Sequence, residues 1–147
     1  MGVWGPGPFA NDDAADFAGD LDDLAYEDRG AALAQALSHA IEEDDYLEYP
    51  GATAAIASAA LIAARFTGTE PVDSNHGPKE PLPPLRASLV PLAIQAVDRV
   101  LASDCEHREL WDDADGPEWL DQATRLRETL TALSGQSTLD LESLGRG

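Results

Sequence analysis

Residues 52–66 read ATAAIASAALIAARF, and this stretch decides the fold. It is apolar nearly all round at helical spacing, with Ile56, Leu61, Ile62 and Phe66 as its large side chains. A helix without a polar face has to be buried on every side. Its alanines let neighbouring backbones come close, so the stretch is read as the central helix of a bundle. Gly68 suits a stop at its C-terminal end. The run 52–64 is too short to span a bilayer and holds Thr53 and Ser58.

Upstream of it, two further helices are expected. Asn11 or Asp12 reads as an N-cap, with Asp13 and Asp16 in the first turn, where carboxylates favour the positive end of the helix dipole. Ala14, Phe17, Ala18, Leu21 and Leu24 then form an apolar stripe, with Asp13, Asp16, Asp20 and Asp23 lying away from it. A second helix is predicted over 30–43, its core face Leu33, Leu37, Ala40 and Ile41, with Gln35, His39 and Glu42 opposite. The acids 42–45 sit at its C-terminal end, where negative charge opposes the dipole. Residues 1–10 are punctuated by Gly and Pro and cannot be helical; Trp4 and Phe9 are read as anchors pinning this lead to the domain.

Downstream, residues 67–84 hold five prolines and two glycines and form a long crossing. A fourth helix is predicted over 85–102 from Leu85, Leu89, Leu92, Ala96 and Val100, with a kink or restart at Pro91. A short helix over 104–112 follows, and a last one starts at Asp115, Gly116 and Pro117, with Trp119, Ala123, Leu126, Leu130 and Leu133 as its seam. Trp111 and Trp119 are read as core anchors. The expected architecture is all-α: a compact bundle of about five helices with a Gly/Pro/aromatic lead and a Pro-rich loop. It forms one helical domain over 1–134, because neither half, 1–66 or 85–134, buries a core comfortably alone. Residues 135–147 are a flexible tail.

Charge narrows the classes of partner. Twenty-eight acids face nine bases, a net charge of −19. Residues 1–64 carry thirteen acids and one base, Arg29, and residues 65–147 carry fifteen and eight, which gives −12 and −7. No basic stripe exists to displace the counterions of nucleic acid or an anionic membrane, so neither is an expected partner. A basic protein is, with Asp13, Asp16, Asp20, Asp23, Glu42 and Glu43 as the binding acids; the simpler reading is that the charge only keeps the protein soluble. Cys105 is alone, so no internal disulfide forms and a cytoplasmic setting is expected. The opening residues lack the basic and apolar regions of a secretory signal, and Pro6 replaces the Ser or Thr of a myristoylation site. The sequence sets no oligomeric state.

Each chemical constellation has a plainer explanation. Asn11, Asp12, Asp13 and Asp16 could gather a hard cation, but they lack the alternating acids and glycine turn of an EF-hand, and helix capping explains them without metal. His39 and Glu43 share a helix face with Glu42 nearby, yet no second His–carboxylate helix pair accompanies them. Cys105, Glu106 and His107 lack the base and orienting group of a nucleophilic site. His76 stands alone among prolines. There is no Gly-x-Gly-x-x-Gly element, P-loop or Gly-x-Ser-x-Gly elbow, and so no catalytic residue, metal site or cofactor is assigned.

The stretch WGPGPFANDDAADF from Trp4 resembles the opening of the bacterial domain of unknown function 4259 family: Trp-Gly-x-Gly-x-Phe, then an Asp-rich helix start. CEHRELWDDADGPEW, residues 105–119, is similar to the family's Ser-Glu-Leu-x-Glu-Leu-Trp segment with a second Trp beyond. Glu106, Arg108, Glu109, Leu110, Trp111 and Trp119 match; Cys105 and His107 replace the usual Ser and Leu, and Asp104 is placed to cap instead. The resemblance extends to about Leu133. It implies a helical bacterial protein and no particular activity. The function expected from the residues is a non-enzymatic protein-binding module, in the manner of an immunity or antitoxin-like inhibitor of a basic partner. The alternatives are a metal-dependent enzyme using the helix-one acids with His39 or His107, and an accessory domain whose acids meet only water.

Overall fold

The computed structural model describes residues 12–42, 49–67, 85–101 and 116–135, with the side chains of 12–15, 49–50 and 116–122 outside that description. Five α-helices and no strand occur among the described residues: α1 Asp12–Asp23, α2 Arg29–Glu42, α3 Tyr49–Thr67, α4 Leu89–Val100 and α5 Gly116–Ser134, with a 3-10 turn at Tyr26–Asp28 before α2. The fold is an all-α bundle. Among these helices none is long and apolar enough to cross a membrane.

α3 is the hub, packing against α1, α2, α4 and α5. Ala52, Ala55, Ala57 and Ala59 are wholly inaccessible, and Ile62 and Phe66 fill the space between neighbouring helices. Small side chains on several faces let the surrounding helices approach this one axis, and the large ones then close the gaps at interior density. Pro50 lies in the first turn, where its missing N–H is an orphan donor in any case. Thr67 ends the helix by donating its hydroxyl to the Ala63 carbonyl at 2.8 Å. Because this helix is buried all round, the Thr53 and Ser58 hydroxyls are buried too, and neither has a hydrogen-bond partner among the described residues.

α1 buries Ala18 and Leu21, with Phe17 packed at the edge. Leu24, expected on the same stripe, is instead exposed, because α1 ends at Asp23 and the chain bends there. α2 buries Leu33, Leu37 and Ala40 as expected, while Ile41 is half-buried. α4 departs further from its expected form. It starts at Leu89, so Pro91 falls in the first turn, where a proline leaves no hydrogen bond unmade, in place of the expected kink. The core face is Val90, Ala93, Ala96, Val97 and Val100. Leu89 and Leu92 lie at its margin, because Leu85 is buried ahead of the helix in non-helical backbone and does not set the register. α5 buries Ala123, Leu130 and Leu133 along the expected seam, with Leu126 packed beside them. At the surface a two-pronged ion pair, Arg127 to Asp98, joins α5 to α4, its second prong 3.4 Å long. The hydrogen bond to Asp98, then its charge, raises the Arg127 pKa. Trp4, Phe9, Trp111 and the 104–112 helix lie outside the described residues, as does the Trp119 side chain.

Candidate functional site

Arg29 is the sole base of the first 64 residues, and it is buried at the start of α2. Its Nε donates to the Leu21 carbonyl at 2.9 Å, and its Nη2 to the carbonyls of Leu24 at 2.9 Å and Asp22 at 3.3 Å. These oxygens belong to the last turn of α1 and the bend after it, where carbonyls lack intrahelical partners and the dipole is negative. A guanidinium, with its donors fixed in a fork, satisfies several of them at once. The connection between α1 and α2 is thus a 3-10 turn closed by a cation. Sequence reasoning missed this role. The available signal was a lone arginine soon after an acid-rich helix.

A groove of about 350 Å³ lies between α1 and α2. α1 lines it with Phe17 and Leu21, the bend after α1 with Leu24, α2 with Ala32 and Ala36, and the first turns of α3 with Gly51 and Ala54. The polar lining residues are Asp20 on α1 and Gln35 and His39 on α2. Helical spacing extends both rims: Asp16 and Asp23 lie one turn either side of Asp20, and Glu42 lies one turn past His39. Asp16, Asp20, Asp23, Gln35, His39 and Glu42 are all exposed. Of the acids expected to bind a partner, Asp16, Asp20 and Asp23 therefore form one strip along the α1 rim, and Glu42 sits at the far end of α2. The Asp13 side chain and Glu43 lie outside the described residues. α1 begins at Asp12, one of the two residues offered as its cap, whose side chain is likewise outside the description.

The groove is apolar below and acidic along one edge. Glu27 and Asp28 add exposed acids just beyond α1, and Tyr26 adds an exposed ring, 48% accessible against 37% for Leu24. No lysine or arginine lines it among the described residues. Among the described residues no three His, Cys, Asp or Glu side chains gather where they could hold a metal ion. Cys105, His107 and His76 lie outside that set.

No curated protein and no solved structure matches the chain. A family model, that of a domain of unknown function, matches residues 2–122 and so takes in both aromatic motifs, Trp4–Phe9 and residues 105–119, while stopping short of Leu133. That match spans most of the 147 residues, and the chain belongs to the DUF4259 family.

Proposed function

We propose that this protein is a non-enzymatic binding module that captures a basic protein through the α1 face, as an immunity or antitoxin-like inhibitor would. One observation carries the reading. Asp16, Asp20 and Asp23 stand in solvent beside an apolar groove, whereas Arg29, the single base of the first half, is withdrawn into the interior. A surface of one sign raises the encounter rate with an oppositely charged partner and repels anionic ones. The uneven charge, −12 against −7, concentrates that field on the half that carries the groove.

The test is affinity capture with the immobilised protein from its native host at low salt, against the variant Asp16→Asn, Asp20→Asn, Asp23→Asn. The wild type should retain a stoichiometric basic protein that elutes as salt rises, and the triple variant should lose it. Recovery of no such protein removes the reading, and equal recovery by both proteins removes α1 from it.

A further inference from the structure

We propose that the groove between α1 and α2 receives the apolar face of a cationic amphipathic helix, whose Lys and Arg side chains meet Asp16, Asp20 and Asp23 on the α1 rim. This rests on the binding-module reading and adds what kind of element the partner presents.

The lining dictates the occupant. Phe17 and Leu24 supply apolar contacts at the two ends of the α1 side, with buried Leu21 as the floor between them, and Ala32 and Ala36 supply a low opposite wall that lets a backbone approach closely. A helix laid in such a trough buries residues at i, i+4 and i+7, as in other helix-in-groove complexes. Its flanking positions then come over the rims. On the α1 side the rim is carboxylate along its length, Asp16, Asp20 and Asp23, so a flanking row of cations is matched and a row of acids is repelled. The α2 rim, Gln35 and His39 with Glu42 beyond, offers hydrogen-bonding groups and one more acid. Exposed Leu24 leaves an apolar anchor point. An anionic segment, a nucleic acid or an acidic membrane is excluded by the same charge. A small molecule fits less well, because the few polar groups are spread along the edges instead of converging on one point.

The probe is a labelled synthetic amphipathic helix with leucines at i, i+4 and i+7 flanked by lysines and arginines, compared with a scrambled peptide of the same composition. Fluorescence anisotropy should show the amphipathic peptide binding about tenfold more tightly than the scrambled one. Ala36→Trp, which fills the groove and leaves every acid in place, should abolish that difference. Gln35→Glu, a change at an exposed position, should strengthen binding and so reports a gain that misfolding cannot mimic. Equal affinity for both peptides, or an Ala36→Trp protein with native thermal unfolding and unchanged preference, overturns the inference. So does a sedimentation profile in which the wild type is a dimer and Ala36→Trp a monomer, because the occupant is then a second copy. If the host partner is lost on Asp16→Asn, Asp20→Asn, Asp23→Asn but kept by Ala36→Trp, the binding reading stands and the groove has no part in it.

Discussion

Arg29 does at the scale of one residue what a capping motif does elsewhere with several. Its guanidinium accepts nothing and donates to three carbonyls at the end of α1, and it is only 8% exposed. Replacing it with Met keeps the length and apolar stem but leaves those oxygens without this donor and removes a charge from the negative pole of the helix. Hydrogen bonds to a charged group contribute about 1.5–3 kcal/mol each in net terms and are not additive, so Arg29→Met should lower unfolding stability by about 2–3 kcal/mol. Arg29→Lys should fall between, since an ammonium cannot fork across the same three oxygens. Urea unfolding followed by circular dichroism measures both; a Met variant as stable as wild type would show that the cap is redundant. The acids differ from Arg29 in how readily they can be read. Asp16, Asp20 and Asp23 fall off an apolar stripe and are exposed, as helical spacing requires. A single arginine has no period, and its role depends on where two helices end and begin.

At the scale of elements, α3 was readable because nothing in it offers a polar face, so no orientation could leave it at the surface. The same property strands its hydroxyls. Thr53 Oγ1 and Ser58 Oγ are buried without a partner among the described residues, and an unmet hydroxyl costs about 1–3 kcal/mol of desolvation. Thr53→Val, which keeps the shape, and Ser58→Ala should each raise stability by about 1 kcal/mol; a fall in melting temperature for Thr53→Val would mean that the hydroxyl is satisfied in solution. α4 was less readable. Its apolar residues fit two stripes, one set from Leu85 and one from Val90, and only the point where the helix starts selects between them. Pro91 looks like a break when the helix is begun at Leu85 and like an ordinary first-turn residue when it is begun at Leu89. The groove had no signature in either helix alone, because its lining is assembled from α1, the bend after it, α2 and the first turns of α3.

For the whole molecule the dominant quantity is a net charge of −19 on 147 residues. Compaction brings these carboxylates together, and their repulsion works against the fold while favouring a cationic partner. Raising ionic strength from about 0.1 M to about 1 M shortens the screening length from about 10 Å to about 3 Å. Sodium chloride should therefore raise the melting temperature of the protein while it weakens capture of the basic partner, and Asp16→Asn, Asp20→Asn, Asp23→Asn should show a smaller thermal gain. A melting temperature that is flat or falling over that range would mean that the acids are too far apart to oppose folding.

The Arg29 clasp also has a mechanical meaning. It joins the end of α1 to the start of α2 across an eight-residue span, making a closed ring without a covalent link. A pull on the start of the chain therefore reaches this ring before it reaches α2. The turns of α1 ahead of the ring take that load first, and the ring then has to open before the pull passes into α2.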